Sequence, residues 1–233
     1  AVRYKEDDWS YITTVEEFEK RYQEGSFTGY GFGYTAGPEG NIRITFTYED
    51  SPLREEGIKR SWIIDAIDGE NITSKEQVSE LLGDTETGES NEFLIHSPAG
   101  DTVEKSFTRN EMKRNTILKD TIIEQSSSKT GYMVLNGFIE NTSGELYEVF
   151  QNFAKENIDN IIIDLRYNGG GMLSRANETA DYIIDDEHID DIFAQIMHND
   201  KKKDKNNYHR FKQDSLSLHW TLPKVYFITT QST

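Results

Sequence analysis

Residues 160–174 read NIIIDLRYNGGGMLS, and the reading of this stretch decides the fold. Ile161, Ile162 and Ile163 form an unbroken β-branched run, too short to span a membrane and too uniform for a half-exposed edge strand. It is therefore predicted as a central strand buried on both faces. Asp164 and Arg166 follow where that strand should emerge from its sheet. Asn168, Gly169, Gly170 and Gly171 then supply a turn that can take positive φ and bring backbone N–H groups beside a ligand, and residues 172–183 read as the following helix. Strand, glycine loop and helix together make a cradle for an anion or an oxyanion.

Three consecutive glycines do not match the G-x-G-x-x-G dinucleotide spacing, and no G-x-x-x-x-G-K-[ST] occurs, so a nucleotide or phosphate enzyme ranks low. A tight turn with Asp164 and Arg166 in a structural ion pair is the plain alternative. The run DLRYNGGG followed by a helix resembles the signature of the carboxy-terminal processing peptidases, the S41 family of tail-specific serine proteases. That resemblance implies a ClpP/crotonase-like α/β core, acyl transfer from a serine activated by an unprotonated lysine, and no cofactor or metal. It further implies that Gly170, with Gly171 as the alternative, points a backbone N–H at the tetrahedral intermediate. Asn168 and Gly169 would shape the loop, and Asp164 with Arg166 would anchor it.

The 233 residues suffice for one large or two modest domains, and two are expected. The absence of cysteine excludes disulfides, thiol nucleophiles and Cys-ligated metals. A formal charge of -17 opposes a nucleic-acid partner, and the KKKDK tract at 201–205 reads as a solvated loop. With 12 Tyr and 12 Phe the chain is too aromatic for an acidic disordered one. No run of about eighteen apolar residues occurs and no signal peptide opens the chain, which reads as a soluble or a mature, trimmed form.

Residues 1–26 form an N-terminal helical segment in which Thr14, Val15, Glu16 and Glu17 have the form of a capping box. Val15, Phe18 and Tyr22 would bury one stripe of a short helix, with Trp9 and Tyr11 also structural. Residues 27–110 then read as a mostly-β module. It contains a Gly37-Pro38 turn, an alternating strand over 41–48, a strand over 62–66 and an Asp68-Gly69 turn. A helix opened by Thr73, Ser74, Lys75 and Glu76 follows, then a hairpin around Ala99, Gly100 and Asp101. This order resembles a PDZ domain of the circularly permuted type in bacterial processing proteases, with Ser51-Pro52-Leu53 at the usual turn before a short helix. It implies that the backbone of Tyr30, Gly31, Phe32 and Gly33 holds a peptide's terminal carboxylate, while an extended chain pairs beside strand 41–48 and Phe32 walls the last side chain. The chain departs from relatives at Arg60-Ser61-Trp62, where a Gly-Asp pair is common. A strand crossing in a structural barrel, with Phe32 and Tyr34 as core aromatics, is the alternative.

Residues 111–233 open with an extended apolar interlude at 116–124 and a loop at Ser126, Ser127 and Ser128. A strand over 131–139 follows, and its Tyr132, Val134, Leu135 and Phe138 resemble the family's opening strand. A helix led by Thr142, Ser143, Gly144 and Glu145 has Leu146, Val149, Phe150 and Phe153 on one face. The order strand, helix, strand, glycine loop, helix calls for a parallel sheet with right-handed crossovers. The acidic run around His188 lacks zinc and EF-hand spacing and reads as solvated, residues 192–197 and 208–211 as strands, and His198, His209 and His219 as ordinary polar residues. Residues 225–228 read as the last strand. In the family this strand leads to a T-x-S-A-S-E-like turn, which would place the nucleophile just past Thr233 and the lysine further on. The polypeptide as given is then expected to be inactive, Ser232 being its nearest serine.

The expectation is thus α/β and mostly-β, in two domains: a PDZ-like domain followed by part of an S41-like catalytic core. The implied function is a serine endopeptidase acting on unstructured peptides or proteins near their C-termini, located in the cell envelope, periplasmic or extracytoplasmic. The alternative is a non-catalytic PDZ-type peptide-binding protein or pseudoenzyme. Oligomeric state is not legible.

Overall fold

The computed structural model describes residues 12–83, 88–216, 218, 222 and 224–230. Helix α1 (Val15–Glu19) runs into a π-helical turn, Lys20–Glu24, closed by Gly25 in the left-handed region. The expected buried stripe is not formed: Val15 is 73% and Phe18 44% exposed. A 3.6-residue period cannot be projected through an i→i+5 turn, and only Tyr22, 4.9 Å from the Phe18 ring, is partly buried. Trp9 and Tyr11 lie outside the described residues.

Strands β1 (Ser26–Gly29), β2 (Phe32–Ala36) and β3 (Ile42–Thr47) lead to the short helix α2 (Pro52–Glu55), begun by the proline that can open a helix without loss. Strands β4 (Ile63–Ile67) and β5 (Glu70–Asn71) form a tight hairpin in which Asp68 (φ 51) and Gly69 (φ 79) supply the two successive positive φ values of a type I′ turn. Helix α3 (Lys75–Leu82) opens where the sequence predicts, but its cap lies one residue on from the expected Thr73–Glu76 pair: the Ser74 hydroxyl accepts the Gln77 N–H at 3.1 Å, and the Gln77 side chain accepts the Thr73 N–H at 3.0 Å. Strands β6 (Ser90–His96) and β7 (Thr102–Thr108) complete an antiparallel sheet in the order β2-β3-β4-β6-β7, with β5 on β4. Ile42, Ile44, Ile64, Val78, Phe93 and Ile95 are at most 1% exposed at its centre. Each such side chain contributes about 1.5–3 kcal/mol by burial. Strand β8 (Asn110–Lys113) then returns to pair antiparallel with β1, Gly29 opposite Asn110 and Ser26 opposite Lys113.

Strands β9 (Ile117–Gln125) and β10 (Ser128–Leu135) follow, then helix α4 (Thr142–Lys155), strand β11 (Asn160–Asp164) and helix α5 (Leu173–Asp181). Strands β12 (Ile192–Ile196) and β13 (Asn207–Arg210) make a separate antiparallel arm around the exposed lysine tract, and β14 (Lys224–Ile228) rejoins the sheet in the order β14-β11-β10-β9. Strands β10, β11 and β14 are parallel, as expected, but β9 is antiparallel to β10, so the sheet is mixed. What reads as a serine loop is a tight reversal with Ser126 at φ 57.

Met133, Leu135, Ile161, Ile163, Leu146, Phe150, Phe153 and Tyr182 are at most 1% exposed in the core between this sheet and its helices. Gly131 allows the close approach there, since a Cβ would stand 2.9 Å from Ile158. The central strand is buried on one face only. Ile162, in register with Tyr132 and Tyr226, is half-buried, and Tyr226 is 47% exposed, because α4 and α5 pack on the other face. Among the described residues no helix is long and apolar enough to cross a membrane.

Candidate functional site

Asp164 ends β11 with its side chain fully buried, so its charge must be met locally. Arg166 folds back on it. Arg166 Nε reaches Oδ1 and Oδ2 at 2.9 and 3.1 Å, Nη2 reaches Oδ2 at 2.6 Å, and the Arg166 N–H donates to Oδ1 at 3.1 Å. From the neighbouring β10 the Tyr132 hydroxyl donates to Oδ2 at 2.8 Å. Burial alone would raise the Asp164 carboxyl, but the hydrogen bonds from Arg166 and Tyr132 outweigh it and hold the group below its ordinary range. Burial, then Asp164, push the Tyr132 phenol up, and Asp164 raises Arg166 further above its already high value. The result is an ion-paired clamp at the end of β11.

The glycine loop hangs from that clamp and from Asn168. Asn168 is 7% exposed; its N–H donates to Leu165 O at 2.9 Å and its Nδ2 to Leu135 O at 3.2 Å, tying the loop to the end of β10. Its Oδ1 accepts the Gly170 N–H at 2.7 Å. Gly170 O in turn accepts the Phe138 N–H at 3.0 Å, and Phe138 O accepts the Met172 N–H at 2.7 Å, so Gly171 runs alongside Phe138 in a single parallel bridge. Gly170 and Gly171 have φ of 89 and 140. Of the two donors expected from the sequence, Gly170 is therefore engaged by Asn168, whereas Gly171 N–H has no acceptor among the described residues. Helix α5 begins two residues later without a side-chain cap, which adds further unfilled N–H groups beside an exposed loop.

The 30–33 loop lies in the other sheet. Tyr30 is 4% exposed and its ring stands edge-on to Phe93 at 5.0 Å; its hydroxyl donates to Asn91 at 2.5 Å and accepts from the buried Arg109 at 3.3 Å. The Tyr30 side chain is thus a core group, and only its backbone can face a peptide. Its carbonyl accepts the Ser51 hydroxyl at 2.7 Å, and Gly31 O accepts the Tyr48 N–H at 2.8 Å. Gly31 (φ 70) and Gly33 permit close passage, since a Cβ would stand 2.6 Å from Met112 Sδ and 2.4 Å from Phe46 respectively. Phe32 is half-buried between Phe93 and Tyr34. The outer edge beside this loop belongs to β2, not to the strand over 41–48: β3 is covered by β2 along one side and by β4 at Ile42 and Arg43 on the other. Helix α3 flanks β2, and Tyr34 OH meets Ser79 Oγ at 2.8 Å across that gap.

Tyr132 and Phe138 are the participants that residue-by-residue reading leaves out of the site. Alternation along β10 marks Tyr132 as opposite in face to Met133, but its bond to Asp164 requires the parallel register of β10 with β11. His188 sits in an exposed 3₁₀ turn, raised by its bond to Asp191 at 3.0 Å, and no metal-holding cluster occurs among the described residues. Ser232 and His219 lie outside the described residues.

Residues 129–233 match the model of peptidase family S41. A probable CtpA-like serine protease of Staphylococcus epidermidis is 29% identical over 189 residues, 79% of this chain and 37% of that protein. A carboxyl-terminal-processing protease of Picosynechococcus sp. is 28% identical over 191 residues, 79% of this chain and 45% of that protein. The chain therefore spans less than half the length of these curated relatives. Among solved structures, a putative S41 protease from Bacteroides fragilis superimposes with a TM-score of 0.65 at 21% identity, covering 98% of this chain and 67% of that one. The photosystem II D1 C-terminal processing protease gives 0.51 at 19% identity, covering 90% and 55%. At such identities the likeness is one of fold. The run DLRYNGGG lies inside the matched segment, which bears out the S41 resemblance.

Proposed function

We propose that this chain supplies the oxyanion side and the peptide-docking module of a serine-type endopeptidase of the carboxy-terminal processing kind, acting on unstructured peptide or protein chains. The observation that carries this reading is the unengaged Gly171 N–H, held in place by the Asn168 turn and the Asp164–Arg166 clamp within the S41-matching segment. A fixed donor stabilises the oxygen on which charge develops as a peptide carbonyl becomes tetrahedral, and one such donor is worth about 3 kcal/mol in the transition state. The neighbouring Gly170 cannot share the task without breaking its bond to Asn168. Neither the serine nor the lysine of the mechanism is assigned to a described residue in this reading.

Residues 27–110 act in this reading as the PDZ-like docking module. An extended chain adds to the edge of β2 and places its terminal carboxylate at the backbone of the 30–33 loop, with Phe32 under the last side chain. The Tyr34–Ser79 bond favours one competing reading, a closed gap between β2 and α3 and a module that only packs.

The experiment has two arms. In the gene product that carries residues 1–233, turnover of a fluorogenic unstructured peptide should fall about 100-fold in Gly171→Ala, mostly in kcat, because the new Cβ displaces Phe138 and turns the retained N–H away from the reacting carbonyl. Unchanged turnover would remove Gly171 from the chemistry, and no hydrolysis by the parent protein would remove the peptidase reading. Separately, an apolar-ended peptide should bind better as the free acid than as its amide, and equal binding would leave the packing reading. The cell-envelope location belongs to the same proposal, and fractionation that puts the protein wholly in the cytosol would overturn it.

A further inference from the structure

Between the two sheets lies a cleft of about 670 Å³, within the range of ligand-binding clefts. Its cationic side chains are Arg54, Lys59 and Arg60, from the segment between β3 and β4, and Lys119 on β9. No aspartate or glutamate lines it. Phe46, Tyr132 and Tyr167 form the apolar wall, with the Phe46 and Tyr167 rings 6.1 Å apart and the Arg60 guanidinium 5.2 Å from the Tyr167 ring centre.

What sets these cations apart is their convergence on one cavity with no acidic residue in its lining; the lack of a carboxylate partner among the described residues they share with other exposed cations, Lys75, Lys155 and Lys224 among them. Arg43, Lys105, Arg109, Lys129, Arg166 and Arg175 all stand within 4.0 Å of a carboxylate. Arg54, Lys59, Arg60 and Lys119 are exposed and have no carboxylate partner among the described residues. The only further contact Arg54 makes is a long one, 3.4 Å, to Thr47 O. In a chain with 42 acidic and 25 basic residues, a run of four unmatched cations facing one cavity is a concentrated reversal of the surrounding field. The cleft also adjoins the proposed chemistry, since Tyr132 bonds Asp164 and Tyr167 directly precedes Asn168.

We infer that this cleft seats an acidic stretch of a polypeptide, its Asp or Glu side chains meeting the four cations and its backbone lying against Phe46, Tyr132 and Tyr167. This deepens the peptidase reading and rests on it for the statement that the acidic chain is a substrate. A peptide is favoured over a nucleic acid because either a duplex or a single strand would bring a dense row of phosphates against a protein of charge -17. On the β4 side, the pairing of β3 ends at Ile44, which bonds Ser61 and Trp62, so Thr45, Phe46 and Thr47 line the cleft along that edge while Phe46 and Thr47 remain paired to β2 on the other.

Two labelled peptides of equal length, one carrying three glutamates and the other three glutamines, both amidated at the C-terminus, test this with the 233-residue chain. Fluorescence anisotropy at low ionic strength should show about tenfold tighter binding of the glutamate peptide, lost in the Lys59→Glu, Arg60→Glu double variant and weakened by added salt in the parent. Both residues are exposed, and an unchanged melting curve checks that the variant folds. Equal affinity for the two peptides, a preference that survives the charge reversal, or equally tight binding of an oligodeoxynucleotide each overturns the inference. Amidation removes the terminal carboxylate and no turnover is read, so failure of loop capture or of hydrolysis leaves this result independent.

Discussion

Gly169, Gly170 and Gly171 are adjacent and chemically identical, yet the backbone asks something different of each. Gly169 has no positive φ and open space where a Cβ would be; Gly170 has open space but a φ of 89; Gly171 has a φ of 140, and a Cβ there would stand 2.1 Å from the Phe138 carbonyl oxygen. Alanine should therefore cost within about 0.5 kcal/mol at Gly169, about 1–2 at Gly170, and about 3 or more at Gly171, where Phe138 must be displaced. Urea unfolding of the three variants measures the series, and equal costs would contradict this account of the loop. The run itself was readable in the sequence as a turn. Which glycine holds a free N–H was not, because that depends on the Asn168 side chain and on Phe138, a partner distant in sequence.

Elements whose signals are local were the legible ones. The start of α3 is written in its Thr73-Ser74-Lys75-Glu76 run, though the cap falls on Ser74 and Gln77, and removing the cap's acceptor by Ser74→Ala should cost about 1 kcal/mol by thermal or urea unfolding, with no measurable loss as the contrary result. The Asp68-Gly69 reversal and the strand-loop-helix order around β11 were equally plain. Elements that depend on a neighbour were not. The antiparallel sense of β9 follows from a reversal at Ser126, a serine in the left-handed region that composition marks only as loop. Ile162 looks like its neighbours Ile161 and Ile163, and only the placement of both helices on one side of the sheet leaves it half-buried. The edge strand of the 30–33 region could not be told from its neighbour for the same reason: both alternate, and pairing order is a property of the sheet.

At the scale of the molecule, charge decides how stability should vary with conditions. Burial raises the carboxyls of Glu145 and Asp181 despite their hydrogen bonds, so the native state holds those protons more tightly than the unfolded chain does. Their contribution is present at acid pH and is lost as pH rises from the ordinary carboxylate range through their raised values. Mutual repulsion at a net charge of -17 acts in the same direction. Asp164, held low, acts oppositely, and its contribution disappears only as pH falls below the ordinary range. The melting temperature should therefore be higher at about pH 5.5 than at about pH 8, and added salt should raise it at the higher pH while weakening the binding of acidic peptides. A flat profile, or destabilisation by salt at the higher pH, would show that repulsion does not matter here. The β1–β8 ribbon has a consequence of another kind. Gly29 and Asn110 face each other across it, so residues 30–109 leave the chain and rejoin it within one strand spacing, about 5 Å. The segment is topologically a cassette whose ends are adjacent: exchange for a foreign unit with adjacent ends leaves the β1–β8 pairing in place and gives up side-chain contacts to the flanks, such as Tyr48 with Asn136 and Phe46 with Tyr167.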